Sequence, residues 1–161
     1  MYAEILASNS DTTYMVSRLF YEKHIYFALD DEGRDVWTVH RILREIEEGQ
    51  RLCVGVFNKH DNSFAGCAHG MIYPYTMEAH LLFKRKVNGV EALKLCMDKC
   101  SEYYRHKKIP LLRFTGMVAD NNRATKLLLK KSGFIDKGIV DGEDFVSKNN
   151  IIPCRYFRKD I

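Results

Sequence analysis

The sequence lacks the features that mark exported, membrane-bound or disulfide-linked proteins. No apolar run approaches the length of a membrane span, and the first residues, MYAEILASNSD, have neither a basic start nor an apolar stretch long enough for export. The five cysteines are an odd number and include no C-x-x-C pair, which favours reduced thiols over a disulfide framework. We therefore expect a cytoplasmic protein with no membrane partner.

The cysteines also give no metal-binding pattern. Cys96 and Cys100 lie four residues apart on a predicted helix, but no suitably spaced pair of His or Cys residues follows them. Free cysteines usually pack as small apolar side chains. We expect no metal site.

Neither sign of charge dominates the sequence. The 25 basic and 21 acidic residues give a net charge of +4 and are spread along the whole chain. The short basic clusters, Lys84 to Lys86, Arg105 to Lys108 and RYFRKD, have no stacking motif beside them. This balance argues against a nucleic-acid partner and leaves an anionic small ligand open.

Proline and linker-like sequence are scarce as well. There are only three prolines in 161 residues, and no repeat or low-complexity tract interrupts the chain. The hydrophobic fraction of 46% suffices for one continuous core. We therefore expect a single domain over residues 1–161.

Apolar periodicity predicts the elements of the first half of the chain. A strand is expected from Tyr2 to Ala7, then a helix capped by Asp11 or Thr12 that runs to Tyr21, and then a helix in DVWTVHRILREIEEG that stops at Gly49. The segments RLCVGVF and SFAGCAHGMIY flank the turn-like NKHDN and predict an antiparallel hairpin. MEAHLLF follows as a third strand.

The second half predicts alternating helices and strands. A helix is expected from Gly89 to His106, a strand in PLLRFTGMV, a short helix in NNRATKLLLKKSGF closed by Gly133, and one or two further strands. A strand, a helix and a second apolar strand in succession imply one parallel pair. The predicted fold class is α/β, with a mixed, mostly antiparallel sheet flanked by helices.

The segment KRKVNGVEALK, from Lys84 to Lys94, places three positive charges and a glycine before a predicted helix start. Such a start can bind phosphate through its unpaired N–H groups. Asn88 and Glu91 also have the spacing of a capping box, in which Glu91 reaches back to the N–H of Asn88. Because a capping box uses some of these donors and adds a negative charge, both a phosphate cradle and a merely capped helix stay open.

The segment DNNRATKLLLKKSGFIDKG carries a family resemblance. It is similar to the pattern N-x-x-[AS]-x-x-L-[YL]-x-K-x-G-F, found in the GCN5-related N-acetyltransferase (GNAT) superfamily. The predicted order of elements is also that of the superfamily, and the resemblance is strongest from Phe64 to Gly138. The corresponding residues are Asn122, Thr125, Leu128, Leu129, Lys131, Gly133 and Phe134.

The resemblance implies a site for acetyl-coenzyme A as cosubstrate. In the superfamily a loop of the form [QR]-x-x-G-x-[GA] holds the pyrophosphate of coenzyme A; here Gly89 matches, but Glu91 stands at a position for a small residue. Asn122 could either cap its helix or reach the ligand. The implied cosubstrate-binding residues are Leu82, Phe83, Arg85, Lys86, Asn88, Gly89, Val90 and Asn122.

The resemblance also implies a general base on the strand before this loop. Glu78 and His80 are two residues apart on MEAHLLF, and either could accept the proton of the amine, directly or through a water. The usual tyrosine acid is replaced by Leu129. Tyr73, Tyr103 and Tyr104 could act as the acid instead, although Tyr103 and Tyr104 lie on a predicted helix and are expected to pack against the core. The pair Cys67 and His69 lacks the orienting group of a thiol enzyme.

The function implied is acetyl-coenzyme A dependent N-acetylation of an amine acceptor by direct transfer. The acceptor, a small molecule or a protein, would enter between the N-terminal helices and the C-terminal strands, where the run Asp30, Asp31 and Glu32 could attract a cation. The alternative is a non-catalytic protein of the same fold with a binding or assembly role, similar to short GNAT-like proteins of bacteriophages. A homodimer stays open.

Overall fold

The computed structural model describes residues 1–26, 29, 36–147 and 149–161, with the backbone alone for residues 26 and 36. The helices are α1 (Ser10–Phe20), α2 (Lys23–Tyr26), α3 (Val36–Glu47), α4 (Gly89–His106) and α5 (Arg123–Lys131). The strands are β1 (Tyr2–Ile5), β2 (Arg51–Phe57), β3 (Phe64–Met71), β4 (Tyr75–Glu78), β5 (His80–Phe83), β6 (Leu111–Ala119), β7 (Ile135–Ser147) and β8 (Asn150–Asp160).

The strands form two four-stranded sheets. The first has the order β1-β2-β3-β5 and is antiparallel throughout. The second has the order β4-β6-β8-β7, in which β4 and β6 are parallel and the other neighbours antiparallel. The predicted fold class and its parallel pair are confirmed. The prediction of one unbroken strand in MEAHLLF is wrong, because β4 and β5 belong to different sheets.

The chain changes sheets at Ala79. Strand β4 follows β6 up to the pair Glu78 and Thr115, and the N–H of Ala79 then donates to the Thr115 carbonyl at 3.0 Å. The next residue, His80, already pairs with His69 of β3. Beyond Ala79, β5 and β6 share no ladder in the described part of the chain. We call the gap between these two strands the β5–β6 opening.

Two glycines on β3 allow the strand break to pack closely. A Cβ atom at Gly70 would lie 2.0 Å from the carbonyl oxygen of Glu78, and one at Gly66 would lie 2.4 Å from that of Leu82. Gly66 also has φ +146°, which side-chain-bearing residues rarely adopt. The backbone of β4 and β5 therefore occupies the space that side chains on β3 would need.

Helices cover both faces of the first sheet, because successive residues of its central strands β2 and β3 are buried and point to opposite faces. One core cluster includes Val54 of β2 and Leu93 of α4, and it extends to the second sheet and α5. The other includes Cys67 of β3 and Leu82 of β5 and packs on α1 and α3. We call them the α4 cluster and the α1–α3 cluster. All five cysteines are free and buried, as expected for packed thiols.

The helix starts show how local hydrogen bonds set the boundaries. Asn9 accepts from the N–H of Thr12 at 2.8 Å, so α1 begins at Ser10. The expectation that Asp11 or Thr12 caps this helix is wrong, because Asn9 is a strong capping residue that lies just ahead of both. None of the described helices is both long and apolar enough to span a membrane.

Replacing Gly70 with alanine should disrupt the strand break. The added Cβ would meet the Glu78 carbonyl oxygen at 2.0 Å, a backbone atom that cannot swing aside. We expect Gly70→Ala to lower the free energy of unfolding by about 2 kcal/mol or more. The matched control is Gly116→Ala on β6, where the nearest atoms lie at 3.8 and 4.0 Å. Equal urea-unfolding midpoints for the two variants would contradict the close packing.

Candidate functional site

Glu78 and His80 flank the strand break at Ala79. Both side chains are exposed, Glu78 at the end of β4 and His80 at the start of β5. His80 shares its strand face with Leu82 of the α1–α3 cluster, and Glu78 alternates with Met77 of the α4 cluster. The two predicted base candidates therefore face the layer of N-terminal helices, at the inner end of the β5–β6 opening.

His80 stacks on a buried histidine of the neighbouring strand. The ring centroids of His69 and His80 are 5.2 Å apart with an interplanar angle of 16°. His69 is 3% exposed, and its Nδ1 lies 3.0 Å from an Nη of Arg51. The guanidinium can only donate, so Nδ1 accepts and the ring proton is on Nε2. Burial, with smaller effects of His80 and Arg51, holds the pKa of His69 well below its usual value.

The head of α4 combines a cap with unpaired donors. Asn88 accepts from the N–H of Glu91 at 3.3 Å, as the capping-box prediction requires. The prediction that Glu91 accepts from the N–H of Asn88 is wrong, because the Glu91 carboxylate accepts instead from the Met1 ammonium at 3.3 Å. A charged donor makes a stronger hydrogen bond to a carboxylate than a neutral N–H does.

The backbone N–H groups of Gly89 and Val90 stand in the first turn of α4, where a helix supplies no acceptors. No hydrogen bond from either N–H is found to another described residue. Helix α5 closes over this head, since a Cβ at Gly89 would lie 3.1 Å from a methyl of Leu128. Lys86, at φ 68°, turns the basic loop towards the helix. Two free donors, a positive helix end and neighbouring cations together suit an anion.

A cavity of about 320 Å³ lies at the outer end of the β5–β6 opening. One wall is His24 of α2, whose Nε2 donates to the Phe83 carbonyl at 2.9 Å. The sequence patterns did not single out His24, and its partner lies 59 residues away in the chain. The other lining residues are Ala119, Asn121, Asn122, Phe145, Ser147 and Ile152.

Asn122 caps α5 and lines this cavity. Its Oδ1 accepts from the N–H of Thr125 at 3.1 Å, so the capping interpretation is confirmed. The same residue forms part of the cavity wall, together with Asn121. Asn122 can therefore cap α5 and also face a ligand in the cavity.

Asp120 ties the turn that carries these asparagines to β8. Its Oδ1 accepts from Nε of Arg155 at 2.8 Å and from Nζ of Lys126 at 3.1 Å. Lys126 also donates to the Asp120 carbonyl. Hydrogen bonds from Arg155 and Lys126 lower the pKa of Asp120. The turn between β6 and α5 is held at both ends.

The candidate acids do not gather at the strand break. Leu129, at the usual tyrosine position, is buried in the α4 cluster at 3% exposure. Tyr104 is also in this core, as expected, and burial raises its pKa to about 12. Tyr73 is exposed in the connection before β4. None of the described lining residues of the cavity is a tyrosine.

Three further predictions concern the Cys67 thiol, the acidic run and the absence of a metal site. Cys67 is buried, and a hydrogen bond with Cys53 together with burial raises the pKa of the Cys67 thiol well above its usual value, which opposes a nucleophilic role. The acidic run at positions 30–32 lies outside the described residues. Among the residues that are described, no group of three or more His, Cys, Asp or Glu could hold a metal ion.

The Asp120 anchor should make part of the stability depend on pH. A carboxyl whose pKa is lowered by folding stabilises the fold above its unfolded pKa, and this contribution is lost as pH falls through the folded pKa. We expect Asp120→Asn to have a lower urea midpoint than wild type near pH 7, and the gap should close below about pH 4. Asp98→Asn, at an exposed position of α4, is the control. A gap that persists undiminished at low pH would contradict the anchor.

Solved structures of acetyltransferases share this architecture. No protein-family model matches the sequence, and neither does any curated protein. An acetyl transferase from Salmonella typhimurium, described as modifying the N-terminal serine of a 50S ribosomal subunit protein, aligns with a TM-score of 0.77 and 12% identity over 100% of this chain and 96% of that one.

Two further structures contain a form of the cosubstrate. RimL, a ribosomal alpha-N-protein acetyltransferase in complex with coenzyme A, aligns with a TM-score of 0.73 and 13% identity over 100% of this chain and 95% of that chain. The microcin C7 self-immunity acetyltransferase MccE, in complex with acetyl-CoA and AMP, aligns with a TM-score of 0.71 and 13% identity over 99% and 93%. At such identities the likeness establishes the fold, and the chain has the fold of the GCN5-related N-acetyltransferases.

Proposed function

We propose that the protein is an acetyl-coenzyme A dependent N-acetyltransferase that moves an acetyl group directly to an amine. The observation that carries the proposal is the β5–β6 opening, which has free backbone N–H groups of α4 beside its outer end and two base candidates at its inner end. A long, narrow cosubstrate with a diphosphate and a reactive thioester fits this arrangement of groups.

The diphosphate would lie at the head of α4. The N–H groups of Gly89 and Val90 would donate to it, and Arg85 and Lys86 would supply positive charge. Glu91 is the unfavourable group, but its carboxylate is paired with the Met1 ammonium. That pairing reduces the repulsion that the sequence alone suggested.

The arm of the cosubstrate would run along β5, whose backbone has no ladder partner on the β6 side among the described strands. Leu82 and Phe83 would contribute their main-chain groups, and Asn122 would contact the arm from the opposite wall. The Phe83 carbonyl already accepts from His24, which fixes the orientation of that peptide group. The thioester would then lie near Ala79, where the strands part.

The chemical step requires removal of a proton from the acceptor. His80 or Glu78, directly or through a water, takes a proton from the ammonium, and the neutral nitrogen attacks the thioester carbonyl. A C–N bond forms, the C–S bond breaks, and coenzyme A leaves as the thiolate; the attacking nitrogen gives its second proton to solvent, and solvent protonates the thiolate. A backbone N–H of β5 that faces the opening would stabilise the oxyanion, because the Ala79 N–H already donates to Thr115.

The acceptor class is an amine on a small molecule or a protein. The acceptor would enter between the N-terminal helices and the C-terminal strands and reach the thioester near Ala79. The cavity of about 320 Å³, lined in part by His24 and two asparagines, lies at the outer end of the β5–β6 opening and would take part of the cosubstrate rather than the reacting amine. Modification of a ribosomal protein by a structural neighbour makes a protein acceptor a reasonable first candidate.

A non-catalytic role is the competing outcome. The fold could persist without its activity, and Glu91 at the head of α4 and Leu129 at the usual tyrosine position are features that would suit such a role. The similarity to bacteriophage proteins gains no support from the structural neighbours described above.

Calorimetric titration tests cosubstrate binding. We expect the protein to bind both acetyl-coenzyme A and coenzyme A, with a rise in melting temperature. Arg85→Glu reverses a positive charge that the proposal places beside the diphosphate and should weaken binding by about tenfold or more. Lys59→Glu, an equal charge reversal at an exposed position in the turn between β2 and β3, is the matched control. Absence of heat and of a thermal shift in the wild type would refute the enzyme and favour the non-catalytic role.

Substitution of the base candidates tests the chemical step. In an assay with an acceptor found by screening amines and peptides, His80→Gln or Glu78→Gln should lower kcat by about 10²-fold to 10⁴-fold, with unchanged affinity for acetyl-coenzyme A. Glu102→Gln, an exposed glutamate on α4, is the control. If both site variants keep wild-type kcat, neither residue is the base.

A further inference from the structure

Resting on the proposed function, we propose that buried His69 is a positioning residue that presents the His80 imidazole at the strand break as a neutral base, with Arg51 and Glu45 as its support. His69 lies on β3, directly beside the strand that carries His80, and the role requires the side chains of three strands and one helix to act together. Geometry carries the inference.

The first step is the orientation of the His80 ring. His69 and His80 are directly opposite each other on β3 and β5, so their rings meet across the ladder. At 5.2 Å between centroids and 16° between planes, the two rings are nearly parallel and offset, and the His69 ring lies against part of one face of the His80 ring. This stacking restricts the side-chain rotation of an exposed residue.

The second step is the fixed protonation of His69. One guanidinium nitrogen of Arg51 donates to its Nδ1 at 3.0 Å, and Nε of the same guanidinium donates to Glu45 at 2.6 Å. Because Nδ1 accepts from a permanent cation, a second ring proton would face a positive charge at hydrogen-bond distance. His69 therefore stays neutral. Its ring neither repels a proton on His80 nor takes up that proton itself.

The third step is the charge balance around the stack. Arg51 is only 9% exposed and Glu45 15%, so their ion pair is poorly screened by solvent. The Arg51 guanidinium lies between the Glu45 carboxylate and His69. The stacked rings are therefore closer to the positive charge than to the negative charge. Among the described residues, the titratable and charged groups that face this unit are Arg51 and Cys53 from β2, Cys67 on β3, Glu78 at the end of β4, His80 from β5, and Glu45 with its neighbour Arg41 from α3.

An imidazole titration by NMR tests the inference in the full chain without any turnover. In wild type we expect His69 to show the Nε2–H form and no protonation from about pH 8 down to about pH 5. Arg51→Met removes the cation, and the titration midpoint of His80 should rise by about 0.5 to 1 pH unit. Arg44→Met, on the exposed side of α3, is the matched control and should leave His80 unchanged.

Two further variants keep the test decisive if Arg51→Met fails to fold. Arg51→Lys retains the charge and should restore the wild-type midpoint of His80. His69→Gln retains an acceptor for Arg51 but removes the stacking ring, and it should lower kcat about tenfold with KM unchanged. In the active enzyme, the acidic limb of the rate profile should move to higher pH together with the His80 midpoint.

The outcomes separate this inference from the proposed function. Titration of His69 in the ordinary range, or an identical His80 midpoint in Arg51→Met and wild type, overturns the positioning role even if acetyl-coenzyme A binds. If the titrations follow the expectation but calorimetry shows no binding, the enzyme proposal fails, and the histidine pair is a structural feature without a catalytic partner.

Discussion

The architecture depends on the transfer of one chain segment from the second sheet to the first at Ala79. The last hydrogen bond to β6 is made by the Ala79 N–H, and the first pair with β3 begins one residue later. Strand β3 admits this exchange because Gly70 leaves room for the Glu78 carbonyl. The β5–β6 opening, the exposure of both base candidates and the placement of the α4 head all follow from that transfer.

Much of the fold could be predicted from the sequence because its signals are local. The helix from Gly89 to His106 and the closing strands were predicted from periodicity and glycine stops, and they are confirmed. The break within MEAHLLF could not be predicted, since an apolar strand of this length carries no local mark of its neighbours. The pairs Glu78 with Thr115 and His80 with His69 are tertiary contacts.

At the site too, local contacts could be predicted from the sequence and tertiary contacts could not. Capping by Asn88 and Asn122 is a local property and was predicted. The partner of Glu91 is the Met1 ammonium, 90 residues away, and the partner of His24 is a carbonyl on β5. Such tertiary contacts set the electrostatics of the opening, and no local sequence pattern marks them.

The central claim is that the β5–β6 opening and the head of α4 together receive coenzyme A. Backbone amide chemical shifts, followed by NMR during titration with coenzyme A, test it most directly because they report each peptide group separately. The account predicts the largest changes from His80 to Phe83 and from Arg85 to Val90. Changes confined to other surfaces, or none at saturating ligand, would contradict it.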